Sequence, residues 1–258
     1  MSNSRKHEFE IEIGATPEEL WQAMTEAEGI QRWFAPEARV TPGEGGKVTL
    51  SWGPGMEGTA PIHRWEPPRR FGWTEGEKLV EVEIEAVEGG RTRLRLVQSG
   101  FGIDARFDDE YDSTHGGWLC FLALLRYGAE QFRGRPMRQV HQMRMLSQTR
   151  EEGFAQLLAS MGLGAASLTA EGAPYTAQLA GLTIRGIVIR HPKPGYLVLS
   201  TATGMVALFV EKAGPSASML TIQWFAAGEA AIAEAAAVKE ALGGFADGLA
   251  AGRAATTA

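Results

Sequence analysis

The chain contains very little cysteine: Cys120 is the only one among 258 residues. A single cysteine cannot form an internal disulfide bond, so a fold held together by disulfides is excluded and a reducing compartment is expected. Long apolar runs are also missing, since no stretch reaches the roughly 18 apolar residues needed for a membrane span. The first residues, Met1 to Lys6, are polar and carry no secretion signal. We therefore expect a cytoplasmic protein without a membrane span.

An excess of positive charge is absent as well. The sequence has 25 Lys and Arg against 31 Asp and Glu, a net charge of −6. A chain with this balance has no broad attraction to nucleic acid or to an anionic membrane. The local basic run Arg133, Arg135 and Arg138 has no aromatic residues between its members, which indicates a solvated linker. We expect no nucleic-acid partner.

Motifs for cofactor binding or nucleophilic catalysis are missing too. The glycine-rich segment from Gly43 to Lys47 lacks the Ser or Thr that follows the lysine of a phosphate loop, so it is read as a turn. A Gly-x-Ser-x-Gly motif does not occur. His115 and Cys120 lie five positions apart, on different faces of a helix, and no two of the five histidines have metal-ligand spacing. The sequence predicts no metal and no cofactor, and enzymatic activity is less expected than binding.

The chain instead contains the same series of motifs twice, in the same order. The segment from Thr16 to Trp21 returns from Thr149 to Phe154, and the proline turn from Glu66 to Phe71 returns from His191 to Tyr196. A repeat of more than about a hundred residues is too long for a solenoid unit. We therefore predict two similar domains, residues 1–134 and 135–258. The second is shorter and has lost residues near the second short helix and before the last helix.

Hydrophobic periodicity predicts the elements of each copy. In the first strand, Phe9, Ile11 and Ile13 alternate with glutamates, the pattern of a strand with one wet face. A capping box at Thr16 and Glu19 begins the first helix. The ranges predicted for the first copy are strands at 7–13, 47–52, 58–65, 70–74, 79–87 and 92–99, and helices at 26–33 and 117–132. For the second copy they are a helix at 151–161, strands at 183–190, 196–200, 205–212 and 219–225, and a closing helix marked by Val238, Leu242, Phe245 and Leu249.

Together these motifs resemble one family. The segments Ala15–Trp21, Gly29–Phe34, Glu66–Phe71 and Gly116–Trp118 are similar to the START-like, or SRPBCC, superfamily, specifically the domain of activator-of-heat-shock-protein-ATPase homologues. The second half looks like a degenerate copy. The resemblance implies an α+β helix-grip fold in each copy, an antiparallel sheet wrapped around a long C-terminal helix. In many relatives the cavity between them holds a hydrophobic ligand.

The candidate ligand-binding residues are aromatic, with one polar group among them. Aromatic walls with a few polar side chains are typical of small-molecule pockets, although each tryptophan taken alone is more typical of an ordinary core. His63 would orient the ligand. The acidic cluster from Asp104 to Asp112 is read as a solvated stretch before the long helix. The predicted set is Trp33, Trp52, His63, Trp73, Trp118 and Phe121.

Three functions remain open at this point. The first is binding of a small hydrophobic molecule in the cavity of the first domain. The second is an enzyme of the polyketide cyclase, aromatase or hydrolase kind that uses His63 with Glu81 or Asp104. The third is a chaperone-linked or other protein-interaction module. The closing helix of the second copy is rich in alanine, which favours close packing and a closed cavity, so the first domain is the predicted ligand binder.

Overall fold

A computed structural model describes residues 4–164, 168 and 170–252 of the chain. They form two compact units. The first contains the described residues up to His115 together with Leu125–Arg133, and the second contains Gly116–Leu124 together with the described residues from Gly134 onward. One long helix therefore contributes segments to both units, whereas the sequence placed a single boundary after residue 134.

The first unit contains a seven-stranded antiparallel sheet with strand order β1-β7-β6-β5-β4-β3-β2. Its helices are α1 (Pro17–Thr25), α2 (Ala27–Gln31) and the ends of α3 (Asp108–Gln131). Its strands are β1 (Arg5–Ile13), β2 (Glu37–Thr41), β3 (Lys47–Ser51), β4 (Glu57–Glu66), β5 (Arg70–Glu75), β6 (Lys78–Val87) and β7 (Arg91–Phe101).

The two faces of this sheet differ in chemistry. In β1, Phe9 and Ile13 are buried while Glu8 is exposed, as the alternation predicts. The glutamate-bearing face carries ion pairs across the strands, for example Arg95 with Glu8 at 2.7 Å and with Glu83 at 3.1 Å. A shift of one residue would move the apolar side chains onto this charged face, so the contrast fixes the register of the sheet.

The first helix begins as its sequence predicts. The Glu19 backbone N–H donates to the Thr16 hydroxyl at 3.2 Å, and the Thr16 backbone N–H donates to the Glu19 carboxylate at 2.8 Å. These bonds satisfy two backbone donors that the helix itself leaves unpaired. Leu20 and Met24 are buried one turn apart, so the capping box directs an apolar stripe toward the core.

The long helix starts earlier than predicted, at Asp108 instead of residue 117. Its first turn is built from Asp108, Asp109 and Glu110, because negative side chains are favourable at a helix N-terminus. Sequence patterns placed these acidic residues in a loop. Hydrogen bonds hold both ends of α3 in the first unit: for example, Tyr111 Oη donates to the Lys6 carbonyl at 2.8 Å, and Glu130 Oε1 accepts from the Gly14 N–H at 3.0 Å.

The second unit contains a six-stranded antiparallel sheet with strand order β8-β13-β12-β11-β10-β9. Its own helices are α4 (Arg150–Ser160), α5 (Glu229–Ala233) and α6 (Ala235–Ala250). The predicted ranges omit three strands, β2 of the first sheet and β8 and β9 of the second. The strands are β8 (Met137–Leu146), β9 (Pro174–Leu179), β10 (Leu182–Arg190), β11 (Tyr196–Thr201), β12 (Gly204–Gly214) and β13 (Ala217–Ala227).

The two sheets repeat the same irregularity. In the first, Ile62 pairs with Trp73 and the next pair is Arg64 with Gly72, so His63 is the extra residue of a β-bulge. In the second, Val188 pairs with Leu199 and the next pair is Arg190 with Val198. The bulge therefore lies at the same place in both copies, with Ile189 in the position of His63.

Local bonds around the predicted repeat motifs also match. Thr149 and Glu152 form the same capping box as Thr16 and Glu19. The Ile84 N–H donates to the Arg69 carbonyl at 2.8 Å, and the Val210 N–H donates to the Gly195 carbonyl at the same distance. The prediction of an α+β fold in two tandem copies is confirmed. Within its described residues the second copy has no counterpart of α2 and one strand fewer, in agreement with the predicted loss near that short helix.

No helix in the described part of the chain is both long enough and apolar enough to cross a membrane.

Candidate ligand site

Two of the predicted tryptophans lie together around one phenylalanine. Trp33 is buried, and its indole N–H donates to the Ala23 carbonyl at 3.0 Å. Its ring stacks on Phe34 with centroids 5.1 Å apart, and Phe34 meets Trp52 edge-on at 5.5 Å. The indole of Trp33 is therefore satisfied by backbone, as expected for a packing residue.

Trp73 belongs to a different aromatic group of the first unit. Its ring lies 5.3 Å from Phe71, and Phe71 meets Trp65 edge-on at 5.5 Å. Trp73 and Phe71 are both buried on the apolar face of the sheet. This face is where a ligand of the first unit has to bind if the sheet forms one wall of its site.

The last two predicted aromatic residues belong to the second unit. Trp118 and Phe121 lie in the Gly116–Leu124 segment of α3. Their rings are 6.5 Å apart, and Phe121 meets Phe209 of β12 at 5.5 Å. The structure thus distributes the predicted aromatic residues over separate clusters and does not collect them around one cavity of the first unit.

His63 lies on the charged face of the first sheet. Its Nδ1 is 3.1 Å from Thr74 Oγ1. Its ring lies over Gly72, where an added Cβ would approach Nε2 to 2.7 Å. Because side chains alternate along a strand, Gly72 and Thr74 face away from Phe71 and Trp73. His63 is therefore not the polar group on the apolar face.

That polar group is His7, which was not among the residues predicted from the sequence. His7 pairs with Gln98 across the β1–β7 ladder, and both side chains are buried. The same row continues through Val80 to Trp73. A signal was present in the sequence, since His7 has the same alternation phase as Phe9 and Ile13 and therefore had to lie on the apolar face.

His7 is held against the first turns of α3. Its Nε2 lies 2.8 Å from the Tyr111 carbonyl oxygen, and its ring stacks on that of Tyr111 at 3.8 Å. Its Nδ1 lies 3.3 Å from Nδ1 of His115. Tyr111 and His115 are four residues apart and share one face of the helix. The helix start at Asp108 creates this cluster, which a helix beginning at residue 117 cannot form.

Burial lowers the pKa of His7 below its ordinary value. The bond to the Tyr111 carbonyl and the charge of Asp112 act in the opposite direction, while His115 and Arg5 add to the lowering. His7 is therefore neutral near pH 7. A carbonyl oxygen only accepts hydrogen bonds, so the proton of neutral His7 is on Nε2 and its Nδ1 is an acceptor. The proton between the two rings must then come from Nδ1 of His115.

An open pocket of about 440 Å³ lies at the same end of the first sheet. Phe101 joins it to the histidine cluster, because its ring lines the pocket and lies 5.0 Å from that of His7. The Lys78 ammonium lies 5.6 Å from the centroid of Phe101 and forms an ion pair with Glu110. The full lining consists of Ser4, Glu75, Gly76, Glu77, Lys78, Gly100, Phe101, Gly102, Arg106, Phe107 and Glu110.

The second unit contains a polar pair that was not predicted, formed by a buried tyrosine and a half-buried glutamate. Tyr196 Oη donates to Glu211 Oε1 at 3.0 Å. Burial raises the pKa of both groups. Gly116 of α3 packs on this tyrosine, since an added Cβ would lie 2.9 Å from its ring atoms. Burial also raises the pKa of the Cys120 thiol, so this cysteine is an unreactive buried residue.

Among the described residues, no group of three or more His, Cys, Asp and Glu side chains is arranged to hold a metal ion.

The first unit combines the sequence motifs singled out above with an antiparallel sheet and the ends of the long helix α3. Residues 14–127 match the family described as activator of Hsp90 ATPase homolog 1-like protein. The match covers less than half of the chain, and it bears out the resemblance stated for the first half. No curated protein matches the chain.

Several solved structures are similar to the chain. A conserved protein of unknown function from Enterococcus faecalis is 21% identical, with a TM-score of 0.45, and the match covers 53% of this chain and 77% of that one. The Aha1 dimer from Colwellia psychrerythraea is 20% identical, with a TM-score of 0.45, and the match covers 50% and 99%. The di-domain ARO/CYC protein BexL is 14% identical, with a TM-score of 0.44, and the match covers 98% and 100%. Likeness at this level carries no argument about function.

Proposed function

We propose that the first unit binds a small, mainly apolar molecule in the pocket at the His7 end of its sheet. The observation that carries this proposal is the pocket of about 440 Å³ whose wall residue Phe101 also packs against a buried histidine. A volume of this size suits a small molecule, and ligand sites combine apolar walls with a few fixed polar groups.

The lining also favours a particular kind of ligand. Phe101 and Phe107 supply apolar surface and Ser4 is neutral, while the other side chains of the lining are charged, negatively in Glu75, Glu77 and Glu110 and positively in Lys78 and Arg106. Lys78 and Glu110 already neutralise each other as an ion pair. A molecule with an apolar body and one neutral polar group would bury the least unpaired charge here. We therefore expect an aromatic or alicyclic compound with few charges.

Of the six ligand-binding residues predicted from the sequence, only Trp73 belongs to the proposed site. Trp73 lies in the same cross-strand row as Val80, Gln98 and His7, and we propose it as the continuation of the ligand-binding face. The lining of this pocket does not include the other predicted residues, Trp33, Trp52, His63, Trp118 and Phe121. The first domain of the predicted pair, within residues 1–134, thus remains the proposed binder, with a different group of residues at its centre.

The second unit is proposed to have a structural role. Its core cluster includes side chains from β11, β12 and β13 with Leu242 and Ala246 of α6. Gly243 of that helix lies close to Gln142 of β8, with 3.2 Å between its built Cβ and the amide nitrogen. Small residues permit this close approach of helix to sheet. A location in the cytoplasm is proposed on the basis of the single buried cysteine.

The test is a fluorescence titration with 8-anilinonaphthalene-1-sulfonate, an apolar dye with one acidic group. Phe107→Ala removes an apolar wall of the pocket and is expected to weaken dye binding about tenfold, the effect of losing one buried aromatic contact. Phe245→Ala in α6 is the matched control and is expected to bind the dye like the wild type. Equal affinity in the wild type and in Phe107→Ala would overturn the proposal.

A further inference from the structure

Three of the nine methionines of the chain lie side by side on the second sheet. Met145 of β8 is paired with Met219 of β13, and Met143 precedes Met145 by two positions on the same strand. Side chains of directly paired residues, and those two positions apart on one strand, point to the same face of a sheet. The three thioethers therefore share one face, and we refer to them as the methionine cluster.

The methionine cluster lies on the face of this sheet that is turned away from α6. The residues that alternate with it on β8 contact that helix: Arg144 Nε donates to Asp247 Oδ1 at 2.5 Å, and Gln142 Nε2 donates to the Lys239 carbonyl at 2.7 Å. Because side chains alternate along a strand, the methionines of β8 point to the opposite face. The contacts of their neighbours thus fix the orientation of the cluster.

The methionine cluster is accessible to solvent. Met145 is 57% exposed, and Met143 and Met219 are half-buried. Strand β8 is at the edge of its sheet, so Met145 has a paired strand on one side only. A methionine side chain is unbranched and has three rotatable bonds, which makes its sulfur adaptable in position. The three sulfurs can therefore be reached from solvent and can turn toward one another.

The spacing of the methionine cluster suits a single shared ion. Directly paired residues have Cβ atoms about 5 Å apart, and diagonal neighbours about 7 to 8 Å, a distance that long side chains bridge. Metal–sulfur bonds are about 2.3 Å long, so three sulfurs around one ion are about 4 Å from one another. Rotation about the side-chain bonds of each methionine covers this difference without movement of the strands.

We propose that the methionine cluster binds one soft monovalent metal ion of the copper(I) class through its three thioether sulfurs. Thioethers are soft ligands that select copper(I), whereas magnesium, calcium and manganese prefer carboxylate and carbonyl oxygens. Each sulfur shares a lone pair with the ion, and no ligand has to lose a proton. The sequence-based prediction of no metal depended on the spacing of histidine and cysteine, which does not address thioethers. This ion site is independent of the function proposed for the first unit.

Glu211 lies next to the methionine cluster and is not one of the proposed ligands. It is paired with Met219 on the β12 side of β13, and its Oε1 accepts from the Tyr196 hydroxyl at 3.0 Å. A carboxylate is a hard ligand, so it does not compete with thioethers for a soft ion. A carboxyl group also does not repel a cation. The neighbour of the cluster in this row is therefore compatible with a bound copper(I) ion.

The experiment is ¹H–¹³C NMR of the full chain with ¹³C-labelled methionine methyl groups, titrated with copper(I) that ascorbate keeps reduced. Copper(I) has a closed d shell, so the methyl signals stay sharp. We expect the three signals of the methionine cluster to shift together and to stop shifting at one equivalent of copper(I). Met56, an exposed methionine just before β4, is the internal control, and its signal should not move over this range.

One variant removes a ligand, and a matched variant removes the control methionine. Met219→Leu deletes a thioether but keeps a similar volume, so the sheet should retain its packing. In competition with the copper(I) chelator bicinchoninate, it should bind copper(I) at least about tenfold more weakly, since even the loss of an outer-shell partner costs this much. Met56→Leu should bind like the wild type.

Three results would overturn the inference. The first is a wild type whose cluster signals do not shift with one equivalent of copper(I), and this result needs no variant. The second is a Met56 signal that shifts at the same copper(I) concentration as the cluster, which would show that any exposed methionine binds equally well. The third is wild-type affinity in a folded Met219→Leu variant.

Discussion

Single residues decide which face of the first sheet carries the polar groups of the candidate site. His63 and His7 both occur in strands with apolar neighbours, and sequence patterns favoured His63. A β-bulge turns His63 onto the charged face beside Thr74, whereas the regular alternation of β1 keeps His7 beside Phe9 on the apolar face. Alternation was sufficient to place His7, but the bulge depends on a ladder irregularity that no single strand's pattern reveals.

The partners of His7 were not accessible from sequence for a related reason. Tyr111 and His115 come close to it only because α3 begins at Asp108. Apolar periodicity predicts a helix only where apolar residues recur. Because the first turns of α3 are polar, periodicity does not predict that they are helical. The pairing of His7 with His115 also joins residues more than a hundred positions apart, which periodicity does not address.

At the same scale, the buried carboxyl of the second unit predicts a dependence of stability on pH. Burial raises the pKa of Glu211 above its ordinary value of 4.5. The folded protein then holds this proton at pH values where the unfolded chain has released it, so this stability is complete below pH 4.5 and is lost as the pH rises through the folded pKa. Glu211→Gln should raise the urea midpoint at alkaline pH and reduce the loss of stability that occurs as the pH rises above 4.5.

Glutamine keeps an oxygen that can accept from the Tyr196 hydroxyl, so this variant tests the charge and not the packing. Glu240→Gln on the exposed side of α6 is the control for charge removal alone. If the two variants change the urea midpoint equally at every pH, the buried carboxyl does not have the assigned effect.

The helices and strands show which elements could be predicted from the sequence. Capping boxes, glycine turns and alternating strands were predicted well, because each depends on residues close together in the chain. Strand β9 was missed although Tyr175, Ala177 and Leu179 alternate into the core. Pro174 at its start and Gly181 just after its end have the character of a loop, and this local signal outweighed a pattern of three buried residues.

The capping boxes of α1 and α4 are equivalent elements and give a paired prediction. Thr16→Ala and Thr149→Ala each remove a side-chain acceptor at a helix start. Each should lower the free energy of unfolding by about 1 kcal/mol. Urea denaturation followed by circular dichroism measures the loss.

Ser substitutions at the same two positions keep the hydroxyl and serve as controls. A loss equal to that of alanine in the serine variants would show that the methyl group, and not the cap, is responsible.

At the scale of the whole molecule, the two copies share a fold but differ at the candidate site. The first has buried polar groups on the apolar face of its sheet, His7 and Gln98. The apolar face of the second sheet has Leu220, Ile222 and Trp224 of β13 in the core cluster, and Trp224 pairs with Val140 of β8. A repeat was predictable from Thr16 and Thr149, but the distribution of α3 between the two units was not.

This distribution predicts how fragments behave. A fragment that begins at residue 134 lacks Gly116–Leu124, which belongs to the second unit and packs on Tyr196 and Phe209. It should therefore melt at a lower temperature than a fragment that begins at residue 108, because those two rings lose apolar contacts. Thermal melts followed by near-ultraviolet circular dichroism compare the two. Equal melting temperatures would show that the α3 segment contributes nothing to this unit.

The central claim is that the first unit holds a small apolar molecule beside His7, and native mass spectrometry of the gently purified full chain tests it most directly. The account predicts an additional mass of a small molecule that is lost on denaturation, is retained by Phe245→Ala and is absent from Phe107→Ala. An additional mass that Phe107→Ala retains at the wild-type level, or a bare mass for a wild type that also fails to bind the dye, would contradict it.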